Sequence, residues 1–413
     1  MKVAIVGTGI AGNVAAYHLN RDHQIAVYEA NDYIGGHTHT HDIQINGQHY
    51  AVDTGFIVFN HRTYPNFIQL LSELGVAEQL STMSFSVKCE RTGLEYMGST
   101  LNSLFAQRRN LLRPRFWKML AEVLRFNREA TELIGDEGDD ITLGDYLKQG
   151  NYSALFTNYY LVPMAAAVWS ADLQLMYQFP ARYLMRFFHN HGLLSVSNRP
   201  QWYVIKGGSK TYVEALTRGF KDKIRLKSPV TNVERREDGV WVTSRHGEER
   251  YDALFMACHS DQALSLLQAP TETEQQVLGA IHYQPNEILL HTDSSVLPRR
   301  RRAWAAWNYH LLQGDQGRVP VTYNMNILQG LDCEEQLCVT LNNSDAVDPS
   351  KIRKRIQYQH PIYTKESVAA QARQSEISRD GIYYCGAYWR YGFHEDGVVS
   401  ALAALEQFNQ KVL

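Results

Sequence analysis

The sequence predicts an α/β protein in which a Rossmann-like domain is joined to a second, α+β domain. Three observations predict it. The first thirty residues run strand, glycine turn, helix, strand, acid. Later, "VIKGGSKTYVEAL" at 204–216 reads as strand, Gly-Gly turn and helix, and residues 224–260 then alternate apolar and polar through several short strands. Finally, 413 residues with 44% apolar content exceed what one hydrophobic core organises, so two domains are expected.

The N-terminal unit carries the clearest chemistry. "KVAIV" at 2–6 is a continuous apolar, β-branched run, as a buried parallel strand requires. "GTGIAG" follows at 7–12, then a helical "NVAAYHLN" and a second strand, "QIAVYEA" at 24–30. This is the G-x-G-x-x-G arrangement of a dinucleotide site. Gly7 allows the tight turn, Gly9 leaves room for a pyrophosphate, and Gly12 lets helix and strand pack closely. Ile10 and Ala11 open the helix, whose free N–H groups and dipole favour an anion. Glu29, with Ala30 after it, ends the second strand, where an acid binds ribose hydroxyls and disfavours a 2′-phosphate.

Composition narrows the class. A formal net charge of −2 gives no nucleic-acid footprint, and no nucleic-acid partner is predicted. Five cysteines (Cys89, Cys258, Cys333, Cys338, Cys385) form no C-x-x-C pair, as expected of reduced thiols in the cytoplasm. A strand from residue 2 leaves no room for a signal peptide, and the longest apolar run, at 159–169, is too short to span a bilayer. His37, His39 and His41 alternate and would share a strand face, but no cysteine or carboxylate stands at ligand spacing. No metal is predicted.

Two basic stretches stand out. "SLFAQRRNLLRPRFWKMLAEVLRFNREA" at 103–130 interleaves arginines with leucines and aromatics, with Pro114 placed for the first turn of a helix reaching about residue 133. "LPRRRRAW" at 297–304 is the other. Both predict peripheral contact with an anionic membrane, at its inner face for a cytoplasmic protein. The Met- and aromatic-rich segment 158–194 reads as core, with some side chains available to wall an apolar tunnel.

The segments "NDYIGGHTHTHDI" (31–43), "YAVDTGFIVFN" (50–60), "LFAQRRNLL", "LVPMAAAVWS", "FPARYLMRFF" and "CGAYWRYGFHEDG" together resemble bacterial FAD-dependent oxidoreductases of the flavin amine oxidase-like superfamily. That group is also similar to the N-terminal region of plant cyclopropane fatty acid synthases. The resemblance implies a glutathione reductase/amine oxidase type of FAD-binding domain from 1–57, 202–275 and 377–413, and a substrate domain from 58–201 and 276–376. It implies FAD contacts at Gly36, His37, Thr38, Gly55 and Phe56, with His37 where most of the group has Arg. Val230 would meet the adenine, and Gly386 the ribityl-phosphate chain. Asp396, Gly397 and Val398 would begin a helix under the flavin.

No second G-x-G-x-x-G follows a strand, so no separate nicotinamide site is expected. True amine oxidases hold a Lys near flavin N5, and the comparable "IHYQPNEILLHTD" at 281–293 has none. The resemblance therefore implies hydride transfer from an apolar small molecule, a lipid with unsaturated or modified fatty acyl chains. Oxidation of a small amine, or a flavin-binding accessory role beside a lipid-modifying methyltransferase, are the alternatives. Candidate catalytic residues are His394, Tyr309 and Tyr391.

Overall fold

A computed structural model describes the chain except residues 136–140, 170–171, 196–198, 314–319 and 413. The N-terminal strand Lys2–Val6 lies at the centre of a five-stranded parallel sheet. The order across it is Ile224–Arg225, Gln24–Tyr28, Lys2–Val6, Ala253–Met256, Ile382–Tyr384. Val3 pairs with Ile25 on one side and Ala253 on the other. Covered on both faces, the central strand has to be apolar throughout, as its sequence is.

One face packs on the helix Ile10–Leu19 and the C-terminal helix His394–Val412, around Val3, Ile5, Val14, Val27, Ala401 and Phe408. The first helix is buried almost all round, which explains why "IAGNVAAYHL" lacks a polar stripe. The other face packs on the antiparallel meander Val230–Arg236, Gly239–Ser244 and Gly247–Tyr251 through Ala4, Val6, Val233, Val242 and Tyr251. The alternation read in 224–260 is this meander.

The second domain is built on a seven-stranded mixed sheet. Its strands Phe85–Cys89 and Trp307–Leu311 are parallel neighbours, although more than half the chain separates them. Helices between 101 and 190 cover it, among them Pro114–Ile134, which starts at Pro114 as expected. The aromatic segment 158–194 is mostly core: Tyr159, Met164, Trp169, Phe179, Phe187 and Phe188 are all buried.

Near the expected domain junctions, several elements pack across both cores. Strand Val58–Asn60 pairs with Trp202–Ile205, and helix Pro65–Leu74 buries Phe67, Leu70 and Leu71 against the first domain's core. The chain therefore crosses to the second sheet only after Ser81. On the return, the helix Lys365–Gln371 touches both cores, with Val368 against the second domain's core and Ala370 in the meander-side core, where Ile377 follows it. Local pattern marked where strands begin, but only packing shows which core a helix serves.

Candidate active site

A cavity of 1590 Å³ begins at the glycine turn and runs between the two domains. Pockets for one drug-sized ligand are roughly 300–1000 Å³, so this one has room for a dinucleotide and a second molecule.

The turn separates its glycines by role. A Cβ on Gly12 would lie 2.0 Å from the Gly7 carbonyl oxygen, so Gly12 is there for packing. A Cβ on Gly9 would meet nothing within 4 Å, because that side faces the cavity. Gly36 (φ +59) arrives from the next loop, close enough that its Cβ would sit 3.1 Å from Gly9 Cα. Gly9 also caps the buried helix Ile10–Leu19, whose first N–H groups point at the same opening. Backbone donors and open space thus coincide where a pyrophosphate needs both.

Glu29 reaches the cavity edge already fixed. One carboxylate oxygen accepts from the Thr8 N–H (3.0 Å) and hydroxyl (2.5 Å), the other from the Asn31 N–H (2.8 Å) and amide (2.9 Å). A ribose hydroxyl would meet a pre-oriented acceptor. Ile10, Ala11, Ala30, His37, Gly55, Phe56, Val230 and Gly386 also line the cavity. Three cavity donors, the Tyr363 and Tyr388 hydroxyls and the Trp307 indole N–H, are buried without a protein partner among the described residues. Groups left this way call for a ligand. The open Gly9, the fixed acid and these orphaned donors fit a bound flavin dinucleotide.

His37 stands in a cluster the sequence did not reveal. Its ring lies 5.4 Å from that of His360 and 6.2 Å from that of His259, and it tilts against Tyr358 at 4.7 Å. Burial, reinforced by the neighbouring imidazoles, holds His37 well below its usual range, and burial brings His360 down to about 4. All three are neutral near pH 7. His259 and His360 belong to distant segments, and no local pattern pairs them with His37. His39, by contrast, stacks on Tyr33 at 4.0 Å.

The residues expected under the flavin directly follow the cavity-facing turn in sequence. Asp396, Gly397 and Val398 do not line the cavity. The helix starts two residues earlier than expected, at His394. Asp396 accepts from the Phe393 N–H at 2.9 Å and so closes the helix start, and burial pushes its pKa up to about 7. A Cβ on Gly397 would lie 2.5 Å from an Ile10 methyl, and Val398 is core. The preceding turn, with Ala387, Tyr388, Tyr391, Phe393 and His394, takes the cavity-facing place.

The catalytic candidates separate too. Tyr309 is buried in the second domain, stacked on Phe85 at 6.4 Å, and is not among the residues that line the cavity. Tyr391 and His394 do line the cavity. His394 stacks on Phe56 at 3.6 Å, and its Nε2 lies 2.5 Å from the Tyr212 hydroxyl and 3.3 Å from Thr38 Oγ1. Burial lowers its pKa to about 3. Thr38 lines nothing itself and positions this pair, its hydroxyl 2.6 Å from that of Tyr212. Cys385 is core, its thiol raised by burial.

Away from the turn the lining is mostly apolar, although Asn127, His191, Arg199 and Gln201 also belong to it. Leu104, Met119, Leu120, Val123, Met164 and Val168 form one wall. Trp169, Phe187, Tyr363, Tyr391 and Phe393 form another, with Trp169 and Phe187 4.7 Å apart and Phe187 and Phe393 4.9 Å apart. Among the described lining residues there is no lysine, and the only carboxylate is Glu29 at the dinucleotide end.

Comparisons with known proteins agree with this geometry. Residues 10–323 match the family model for flavin containing amine oxidoreductases. A flavin-dependent L-tryptophan oxidase of Lentzea aerocolonigenes is 26% identical over 267 residues, 60% of this chain and 54% of the relative. The match spans about half the length of that relative. Cyclohexylamine oxidase from Brevibacterium oxydans shares the fold at a TM-score of 0.70 and 16% identity, covering 100% of this chain and 99% of the other. A fatty acid isomerase from P. acnes that produces CLA does so at 0.67 and 14%, covering 98% of each. The chain belongs to the flavin containing amine oxidoreductase family, whose members are FAD-dependent oxidoreductases, and its cofactor is FAD.

Proposed function

We propose that the protein is an FAD-dependent oxidoreductase acting on unsaturated or modified fatty acyl chains of lipids. The observation that carries this is the composition of the cavity. Beyond the dinucleotide turn aliphatic and aromatic side chains predominate, the one charged side chain is Arg199, and the described lining residues there include no lysine and no carboxylate. An acyl chain leaves no buried charge unpaired in such a space, whereas an ammonium group would have no acid to meet.

When bound, FAD supplies a two-electron acceptor for a hydride from the substrate. The chain's own residues do the rest. The aliphatic wall from Leu104 to Val168 orients an extended hydrocarbon, and burial by the Phe187–Phe393 side excludes water. Burial keeps His394 neutral, and its Nε2 lies within hydrogen-bond reach of the Tyr212 and Thr38 hydroxyls, either of which can accept a proton held there or donate to the bare nitrogen. Tyr391, its phenol raised by burial, stays protonated and can donate to a polar group carried by the substrate.

A second reading, oxidation of a small amine, draws on the Trp169, Tyr363 and Tyr391 ring faces, which could receive a cation. Anaerobic mixing separates the two. Bleaching of the visible flavin band by a detergent-solubilised unsaturated phospholipid supports the acyl reading. Bleaching by putrescine or spermidine, with none by lipids, overturns it in favour of the amine.

A further inference from the structure

The fold brings the two basic stretches onto one face. The short helix Leu101–Leu104 packs against the turn Arg301–Ala303. Arg299 and Arg300 donate their backbone N–H groups, at 3.0 and 3.1 Å, to the buried carboxylate of Glu95 in the neighbouring strand. Arg299, Arg300, Arg301 and Arg302 thus lie against the start of the segment that carries Arg108, Arg109, Arg113, Arg115 and Lys118, and all nine residues are exposed. Among the described residues none of the nine lies within ion-pair distance of a carboxylate. The segment 101–118 contains no acid at all.

Among these cations sit large apolar side chains that a water-facing surface does not need. Leu112 is 88% exposed, Leu101 77%, Leu124 58% and Trp117 48%. The Trp117 indole N–H is already satisfied by the Leu111 carbonyl at 2.9 Å, so the ring can lie in an apolar medium without a buried orphan donor. Leu101 and Leu124 are at once the exposed rim of this patch and part of the cavity lining, next to Leu104, Leu120 and Val123. The apolar part of the cavity thus reaches the surface at Leu101 and Leu124, within the basic, leucine-rich segment.

We propose that this face docks on an anionic phospholipid bilayer, with the cavity mouth turned into the membrane so that acyl chains enter without crossing water. The cations meet lipid phosphates, and Leu101, Leu112, Trp117 and Leu124 enter the acyl boundary. Charge complementarity alone would also suit RNA, but four exposed apolar side chains among the arginines favour a bilayer. The purpose of the docking rests on the acyl-chain reading of the cavity; the surface itself does not.

The test is co-sedimentation of the flavin-loaded protein with vesicles of phosphatidylcholine alone, and of phosphatidylcholine with phosphatidylglycerol. Binding is expected only to the second, and is expected to weaken as salt shortens the range of the charges. Each cation near such a surface contributes about fivefold to partitioning, so replacing Arg108, Arg109, Arg113 and Arg115 by Gln lowers it by on the order of a hundredfold or more. The Leu112→Glu, Trp117→Glu double variant also loses vesicle binding, while its flavin is still reduced by detergent-solubilised lipid. A protein that ignores phosphatidylglycerol vesicles overturns the proposal. So does vesicle binding that needs the arginines but not Leu112 and Trp117, which shows that these side chains do not enter the acyl boundary. Vesicle binding without flavin reduction by any lipid leaves the docking standing and removes the acyl-chain reading; reduction by solubilised lipid without vesicle binding does the reverse.

Discussion

Replacing Gly9 by alanine separates folding from cofactor binding. Gly9 has φ −64 and ψ 178, extended backbone open to any residue, and its added methyl would meet no protein atom within 4 Å. As a helix N-cap, Gly to Ala costs up to about 1 kcal/mol. The apoprotein is therefore expected to fold with a small loss of stability. The methyl occupies the space a pyrophosphate needs. Crowding by one such group costs about 1–3 kcal/mol, a loss of roughly tenfold to a hundredfold in FAD affinity. Gly12→Ala is the contrasting case. Its methyl would lie 2.0 Å from the Gly7 carbonyl oxygen, so helix or strand must move and the apoprotein itself is destabilised. Fluorescence titration with FAD measures the first effect, and thermal unfolding of the two apoproteins the second. A Gly9→Ala protein that binds FAD as tightly as the parent would refute the argument that the pyrophosphate passes over this residue.

Three further outcomes follow from buried groups. Asp396 is raised from 3.8 to about 7 by burial, so its contribution is present at low pH and is lost as pH rises through that window. At about 1.36 kcal/mol per unit, Asp396→Asn is expected to match the parent near pH 4 and to gain up to about 4 kcal/mol near pH 8 in urea unfolding; an equal loss at both would count against it. His360 is lowered from 6.5 to about 4, so its contribution is present above 6.5 and lost as pH falls toward 4. Substituting His360→Asn is expected to reduce acid sensitivity between about pH 7 and pH 5 by about 2 kcal/mol, and a variant as acid-sensitive as the parent contradicts this. Tyr212→Phe leaves His394 Nε2 without its closest partner, at a cost of about 1–3 kcal/mol in thermal or urea unfolding; no measurable change would show that the pair contributes nothing.

The dinucleotide half of the site was legible because its chemistry is local. Gly7, Gly9, Gly12 and Glu29 lie within one strand–turn–helix–strand unit, and each spacing has a steric reason. The substrate half was not, because its walls come from segments that meet only in the folded chain. His37 could be read beside the Gly-Gly pair, yet His259 and His360 join it from the end of a parallel strand and from the edge of the second sheet. Tyr309 sits in a strand of the second sheet with its ring on Phe85, a placement that depends on strand pairing rather than on local sequence. Asp396 was placed under the flavin because the helix was expected to begin there; in the fold His394 opens it, and the turn before it faces the cavity. Likewise the basic stretches could be read singly, but only the packing of Leu101–Leu104 on Arg301–Ala303 shows that they form one face.

The central claim is that one cavity holds both FAD and an acyl chain. It is tested most directly by titrating the flavin-loaded protein with stearate, which is saturated and unreactive, while following the visible flavin spectrum. The account predicts a saturable spectral change that disappears when Val123→Trp fills the apolar wall with FAD still bound. A spectrum indifferent to stearate but shifted by a diamine would contradict it.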